Sequence, residues 1–182
     1  MKVTPLSIPD VLLIEPNVFE DSRGFFFESF REDIFRKENS LNVSFVQDNH
    51  SMSSQGVLRG LHYQLPPYSQ GKLVRVIQGE VFDVAVDLRS SSPTFKKYVS
   101  QILSAENKKQ IWIPEGFAHG FLCLSDTSEF LYKTTNFYNP EYQHCIIWND
   151  VDLKINWPEN CPLKISMQDS LGLPFRHSKI FT

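Results

Sequence analysis

Residues 57–88 read VLRGLHYQLPPYSQGKLVRVIQGEVFDVAVDL and contain three apolar runs separated by turns. The runs at 57–64, 72–78 and 81–88 are rich in valine, leucine and aromatic residues, and Gly or Pro lies between each run and the next. Runs of this length and composition, bounded by Gly and Pro, are typical of β-strands. The stretch therefore predicts consecutive strands joined by tight turns.

The same pattern continues on both sides of this stretch. Further strand candidates lie at 11–14, 25–29, 45–47, 98–103, 110–113, 119–124, 130–134 and 146–149. The best helix candidate is 31–38, where Ile34 and Phe35 share an apolar face among charged residues. Many strands with a few short peripheral helices predict an all-β fold, and a double-sheet jelly roll is one arrangement that avoids exposed sheet edges.

Composition narrows the function classes. A chain of 182 residues predicts a single domain, and a net charge of -3 argues against a nucleic-acid-binding protein. No apolar run approaches the ~20 residues of a membrane helix, and the N-terminus is a poor signal peptide. Cys123, Cys145 and Cys161 lack metal-ligand or redox spacing, so we expect reduced thiols in a cytoplasmic protein. No G-x-G-x-x-G follows a strand, so a dinucleotide cofactor is not expected.

Two of the five histidines stand in informative contexts, His62 before Tyr63-Gln64 and His119 at the end of the segment 113–119, IPEGFAH. These segments resemble the paired motifs of cupin jelly rolls, in which the first motif carries His-x-His and a later Glu. Gln64 stands at the second histidine and Lys72 near the glutamate. Catalytic zinc usually takes three protein ligands, and an ammonium repels a metal, so we expect no metal between His62 and His119.

A cupin pocket without metal still offers two imidazoles and one ammonium. This set suits proton abstraction beside a ketone, because the developing enolate oxygen needs preorganised donors. Lys72 and His119 are candidates for those donors, and His62 for the base, since imidazole titrates near neutral pH. Taken alone, each histidine is more often structural, and Lys72 reads as a solvated turn residue.

The whole chain from about residue 10 to about residue 170 resembles the dTDP-4-dehydrorhamnose 3,5-epimerase family. The motifs that carry the resemblance lie in order at 19–28 (FEDSRGFFFE), 47–51 (QDNHS), 56–64 (GVLRGLHYQ), 71–76 (GKLVRV), 83–89 (DVAVDLR), 113–120 (IPEGFAHG), 132–135 (YKTT), 148–150 (WND) and 155–158 (INWP). The resemblance implies a cupin-type jelly roll over roughly 10–150, a C-terminal segment 151–182 that packs back on it, a homodimer and no cofactor.

The resemblance also implies roles for particular residues. His62 would remove the protons at C3 and C5 of a 4-keto sugar, Asp169 would orient His62, and Tyr132 would return a proton on the opposite face. By pattern alone, Tyr132 reads as a core aromatic of the sandwich. The residues matched to substrate binding are Arg23, Phe26, Glu28, Gln47, Asn49, Arg59, Lys72, His119, Tyr138, Gln143 and Gln168.

Three positions carry expectations of their own. Gln143 and Gln168 stand where the family commonly has an acid and a base, which suggests a lost ion pair near the nucleotide. Arg59 and His62 both match substrate-facing positions, yet strict alternation puts residues three apart on opposite faces of a strand. We therefore predict a bulge or twist near Gly60.

Several alternatives remain open at this point. The chain could act on another nucleotide-linked 4-keto sugar, invert only C3 or only C5, or bind sugars without catalysis. A metal-dependent cupin oxygenase or isomerase is a further class, for which the sequence lacks ligands. The resemblance also points to rhamnose supply for lipopolysaccharide or another surface polysaccharide, without fixing which one.

Overall fold

The computed structural model describes residues 1–39, 43–159 and 161–182, the side chains of 38 and 39 excepted. The strands in this part of the chain are β1 Lys2–Pro5, β2 Leu12–Glu15, β3 Phe19–Asp21, β4 Gly24–Phe26, β5 Gln47–Ser54, β6 Val57–Gln64, β7 Lys72–Gln78, β8 Glu80–Asp87, β9 Tyr98–Ser104, β10 Gln110–Ile113, β11 Phe117–Cys123, β12 Thr127–Thr134, β13 Gln143–Cys145 and β14 Lys164–Ile165. The helices are α1 Glu32–Asn39, α2 Met167–Ser170 and a 3-10 turn Phe175–His177.

The strands form two facing sheets and one small hairpin. The first sheet has the order β1-β2-β10-β7-β12-β5, and the second has the order β13-β6-β11-β8-β9, with β14 pairing in parallel with β6. The hairpin β3–β4 stands apart from both sheets. Neighbouring strands in each sheet order are antiparallel, with crossovers between the sheets, which is the double-sheet jelly roll of cupin type. The predicted all-β fold class is confirmed.

Alternation along the strands divides the apolar side chains between the space inside the sandwich and its outer faces. In β7, Val74 and Val76 point into the central core, whereas Leu73 belongs to the outer cluster against α1. In β8, Ala85 points inward, whereas Val84 and Val86 join the outer cluster. Successive side chains of a strand point to opposite faces, so a strand that is covered on both faces places apolar residues alternately in the two clusters.

Each outer face is covered by a different part of the chain. Phe35 of α1 packs on Trp112 of the first sheet, with ring centroids 5.5 Å apart. On the second sheet, Leu153, Trp157 and Phe175 of the C-terminal segment pack against strand residues of the same cluster. Among the described residues, no helix is long and apolar enough to cross a membrane.

The strand predictions needed correction at several places, including the run at 25–29, where β4 ends at Phe26. The strand predicted at 45–47 covers only a small part of β5. The sequence of β5, QDNHSMSS, is polar because this strand forms an edge of the first sheet and exposes alternate residues. The run at 146–149 is not a strand; pairing with β6 occurs at β13 instead. Ile146 forms an isolated bridge to Leu173 and exchanges two backbone hydrogen bonds with Leu61 of β6. The sheet also begins at Lys2, earlier than residue 10, because β1 pairs with β2.

Candidate active site

A cavity of about 310 Å³ lies between the two sheets. Its walls carry imidazole, ammonium, guanidinium, amide and phenol groups together with two phenylalanine rings. The lining residues are Asn49, His50, Ser51, Arg59, His62, Tyr63, Gln64, Gln70, Lys72, His119, Gly120, Phe121, Phe130, Tyr132, Tyr138 and Gln143. The cavity therefore collects most of the polar residues that the sequence singled out.

His62 and Asp169 form a hydrogen-bonded dyad on one wall. Nε2 of His62 lies 2.6 Å from Oδ1 of Asp169, which is 3% exposed. Asp169 is held in α2, where its backbone N–H donates to Oγ of the N-cap Ser166. Burial favours a higher pKa for Asp169, but the hydrogen bond and charge of His62 and the N–H of Gly60 together hold the pKa below its usual value.

The ionised carboxylate fixes the tautomer of His62. A carboxylate only accepts hydrogen bonds, so Nε2 carries the proton and Nδ1 keeps its lone pair. A neutral imidazole in this form has one basic nitrogen free, and the carboxylate stabilises the imidazolium that forms when that nitrogen takes a proton. The dyad therefore suits a general base.

A bulge in β6 brings Arg59 and His62 to the same wall. In the pairing of β6 with β11, His62 faces His119 and Arg59 faces Phe121, so two residues of β6 oppose the single Gly120. Gly60 has a φ of 118°, and a Cβ there would lie 2.6 Å from Cα of Gly120. Only glycine fits such a left-handed, crowded position. The predicted bulge near Gly60 is confirmed.

One buried carboxylate, Asp83, is hydrogen-bonded to His119 and acts on Lys72 through its charge. Nε2 of His119 lies 2.8 Å from Oδ2 of Asp83, which is 1% exposed. Nζ of Lys72 donates to the carbonyl oxygen of His62 at 3.3 Å. Burial lowers the pKa of Lys72 to about 8, and the charge of Asp83 opposes that shift. Lys72 is therefore a cation at neutral pH with no direct ion pair within 4.0 Å in the described part of the chain.

The environment of His119 refines its expected role as an enolate donor. Burial lowers the pKa of His119, with Asp83 opposing and Lys72 and His62 reinforcing the shift. The ring is then neutral at pH 7, and its Nε2 proton is engaged by Asp83. Its remaining nitrogen is an acceptor, so the ammonium of Lys72 is the stronger candidate for the donor to a developing negative charge.

Tyr132 enters the same cavity from the first sheet. It lies on β12 between the inward-facing Phe130 and Thr134, and its ring centroid is 6.0 Å from that of Phe130. Burial raises the pKa of Tyr132, although the charge of Arg59 opposes the rise. The phenol is therefore protonated at neutral pH and can donate. His62 comes from the second sheet, so an imidazole and a phenol reach one cavity from opposite sheets.

Five of the expected binding residues surround the cavity mouth. Asn49, Arg59, Tyr138 and Gln143 line it, and Gln47 supports them, because its side chain accepts from the backbone N–H of Tyr138 and donates to Asn49. Arg59 donates to Ser53 and to the carbonyl oxygen of Met52.

Four expected binding residues lie outside this cavity. Arg23 is in the turn of the β3–β4 hairpin and pairs with Asp21, Phe26 is 67% exposed on β4, and Glu28 follows at the hairpin's exposed end. Gln168 is exposed on α2, next to Asp169. Gln143 and Gln168 both belong to the described part of the chain, and no hydrogen bond joins their side chains there.

Two residues beside the catalytic groups were not expected from the sequence. In the sequence, Asp83 belongs to the motif at 83–89; its inward alternation with Ala85 on a buried strand is the signal of a carboxylate that needs a partner. Cys145 was read as an ordinary thiol, yet its Sγ lies 4.0 Å from Oδ1 of Asp169. Its proximity depends on β13 pairing with β6, which the sequence did not predict.

The family model described as dTDP-4-dehydrorhamnose 3,5-epimerase matches residues 5–177. The chain is 59% identical over 182 residues to a dTDP-4-dehydrorhamnose 3,5-epimerase of Pseudomonas aeruginosa, covering 100% of this chain and 99% of the relative.

Solved structures agree with these relatives. A dTDP-6-deoxy-D-glucose-3,5-epimerase of Legionella pneumophila, in complex with dTDP-4-keto-L-rhamnose, superposes with a TM-score of 0.95 at 46% identity, covering 98% of this chain and 94% of that one. A 3'-monoepimerase of Streptomyces bikiniensis, in complex with dTDP-quinovose, superposes with a TM-score of 0.89 at 32% identity, covering 94% and 87%.

Proposed function

This chain belongs to the dTDP-4-dehydrorhamnose 3,5-epimerase family, and on that basis we propose that it inverts C3 and C5 of dTDP-4-dehydro-6-deoxy-D-glucose to give dTDP-4-dehydro-L-rhamnose. The observation that carries the proposal is that His62 and Tyr132 line one cavity and belong to opposite sheets. Inversion needs a base and an acid on opposite faces of the sugar ring, because a base that returns its own proton restores the starting configuration.

In the proposed first step, Nδ1 of His62 takes the proton from C3, next to the C4 ketone. The electron pair of the broken C–H bond moves onto the ketone oxygen, where the ammonium of Lys72 stabilises the enolate. His62 becomes an imidazolium paired with Asp169. Removing a donor of this kind typically costs ~3 kcal/mol of transition-state stabilisation.

In the second step, the phenol of Tyr132 delivers a proton to the opposite face of C3. The enolate returns to the ketone, Tyr132 is left as a phenolate, and both groups exchange protons with solvent before the next inversion. The hydrogens on C3 and C5 of a glucopyranose ring lie on the same face. A single base and a single acid, fixed on opposite walls, can therefore serve both carbons.

We further propose that the enzyme is a homodimer in which the β3–β4 hairpin of one subunit completes the cavity of the other. Phe19, Phe25 and Phe26 are each 60% or more exposed on this hairpin, and a clustered apolar patch of that kind marks an interaction surface. The hairpin also carries Arg23, whose fork suits a diphosphate. Arg23 lies outside its own subunit's cavity, so it would act across the interface.

The proposed location is the cytoplasm, and the proposed use of the product is surface polysaccharide assembly, including lipopolysaccharide. Cys123, Cys145 and Cys161 are free thiols, the form that a reducing compartment maintains. A sugar linked to a nucleoside diphosphate is an activated glycosyl donor, so the product would be consumed by reduction and glycosyl transfer.

Solvent isotope incorporation tests the function directly. The reaction is run in deuterium oxide with dTDP-4-dehydro-6-deoxy-D-glucose, and the product is examined by NMR. The proposal expects one deuterium at C3, one at C5 and inverted configuration at both. Label and inversion at C3 alone would instead identify a monoepimerase, like the structural neighbour from Streptomyces bikiniensis.

A further inference from the structure

Cys145 stands beside the proposed base pair without taking part in the mechanism. Its Sγ lies 4.0 Å from Oδ1 of Asp169, and the same oxygen is 2.6 Å from Nε2 of His62. One ligand atom from each of these three residues lies within 4.8 Å of the other two. Among the described residues, this is the one group of three or more His, Cys, Asp and Glu side chains whose ligand atoms lie so close together.

Three separate elements hold this group. Cys145 on β13 is the direct cross-strand partner of His62 on β6, which keeps their Cβ atoms about 4.5–5.5 Å apart. Asp169 approaches from α2, whose first turn is fixed by the Ser166 cap. The three side chains therefore converge because of the fold and do not depend on one flexible loop.

The chemistry of the group suits a thiophilic divalent cation. Zinc is bound by Cys sulfur, His nitrogen and Asp oxygen at about 2.0–2.3 Å, so the ligand atoms of a tetrahedral site lie roughly 3.3–3.8 Å apart. The observed spacings bracket this range, and small side-chain rotations would meet it. His62 also lines the cavity with 29% of its side chain exposed, which leaves a route and a fourth position for water.

We propose that His62, Cys145 and Asp169 form an inhibitory site for a thiophilic divalent cation such as Zn²⁺ or Cd²⁺. The cation displaces the Sγ proton, which is released to solvent, and the Nε2 proton of His62 is transferred through solvent to Nδ1. The cation then bonds to the thiolate, to the Nε2 lone pair of the neutral imidazole and to the carboxylate, and Nδ1 no longer has a free lone pair. Asp169 can then no longer pair with His62, and the imidazole can no longer take a substrate proton. Inhibition rests on the proposed role of His62, whereas metal binding does not.

Cadmium chloride is the probe, because a cadmium–thiolate bond absorbs in the ultraviolet and reports on the thiol directly. The full-length protein is titrated while absorbance, proton release and epimerase activity are followed in parallel. We expect one equivalent of cadmium to produce the band, release one proton from the thiol and abolish activity over the same concentration range, with recovery on adding EDTA.

Cys145→Ser tests whether this thiol binds the metal. Cys161→Ser is the matched control, because Cys161 is a partly buried free thiol near Gly56 and does not line the cavity. Cys145→Ser should keep its turnover in metal-free buffer and lose the band. Its cadmium affinity should fall by roughly 10-fold or more, because even an outer-shell change around a metal costs on the order of 10-fold. Cys161→Ser should behave as the wild type.

Other outcomes overturn the proposal. A band that persists in Cys145→Ser, or one that disappears in Cys161→Ser, would assign the metal to another thiol. If Cys145→Ser does not fold, Asp169→Asn provides the second test, because the band should remain while the cadmium affinity falls; unchanged affinity would remove Asp169 from the site. Cadmium bound at Cys145 without loss of wild-type activity would overturn the inhibitory role of the site, and if Asp169→Asn also lowered the affinity it would contradict the role of His62 as base.

Discussion

His62 and His119 face each other directly across the β6–β11 pair, and each ring is bonded through Nε2 to its own buried carboxylate. The two dyads differ in their surroundings. His119 is 7% exposed with Lys72 nearby, and its pKa is lowered, whereas His62 is more open to the cavity. The arrangement places a more exposed base, His62, beside a neutral, buried imidazole, His119, on the same cavity wall.

Lys72 should set the alkaline limit of activity. Its pKa is lowered to about 8 by burial, so the ammonium loses its proton as pH rises through that value, whereas the pKa of Tyr132 is raised and the phenol stays protonated. We expect kcat/KM, which reports the free enzyme, to fall above about pH 8. Lys72→Met should lose on the order of 10²-fold in kcat.

Lys133→Met is the control for Lys72, because Lys133 lies on β12 in an ion pair with Asp48 and does not line the catalytic cavity. Its pH profile should match the wild type. A wild-type profile that stays flat well above pH 8 would show that Lys72 is not the limiting group.

Asp83 should tune that alkaline limit. Its charge raises the pKa of Lys72 against the effect of burial, so Asp83→Asn removes the opposing influence and should move the alkaline limb of kcat/KM to lower pH. Asp87→Asn is the control on the same strand, since Asp87 is equally buried but accepts from Arg89. Asp87→Asn should lose stability without shifting the alkaline limb of kcat/KM. An equal shift of that limb in both variants would contradict the influence of Asp83 on Lys72.

Gly60 should be intolerant of a side chain. Its φ of 118° strains any other residue, and an added Cβ would meet the backbone of Gly120 and His119 at 2.6–2.7 Å. Gly60→Ala should cost more than the roughly 1–3 kcal/mol of backbone strain alone. Gly24→Ala isolates that strain, because Gly24 has a φ of 124° and open space around it. Thermal unfolding measures both, and similar losses would argue against the clash at Gly60.

Arg23 and His62 should complement each other between subunits. Arg23→Ala and His62→Asn should each be severely impaired as homodimers. When the two variants are unfolded, mixed and refolded together, heterodimers carry one cavity with His62 from one chain and Arg23 from the other. Activity should therefore reappear on mixing. A mixture no more active than its components would mean that the hairpin does not serve the partner's cavity.

Much of the fold was predictable because its strands have covered faces. The runs at 57–64, 72–78 and 110–113 match β6, β7 and β10 at both ends, since buried strands are rich in valine, isoleucine and leucine. Most of β5 was not predicted, because an edge strand with exposed alternate residues has no apolar pattern. β13 and β14 were not predicted, because these strands form through pairing with β6 and their local sequence does not indicate a strand.

The site was predictable to a different degree. The family resemblance pointed to Asp169, which no local pattern connects to His62 over a separation of 107 residues. Alternation and glycine chemistry did predict the bulge at Gly60. The carboxylate of Asp83 and the thiol of Cys145 depend on which neighbours meet across strands, and a single sequence carries no such register.

The measurement that tests the account most directly is isotope exchange in Tyr132→Phe. Without the phenol, His62 can still take a proton from C3, exchange it with solvent through its exposed side chain and return deuterium to the same face. We predict deuterium incorporation with retained configuration and little inverted product, whereas His62→Asn should show neither. Inversion by Tyr132→Phe at the wild-type rate would contradict a base and an acid acting from opposite sheets.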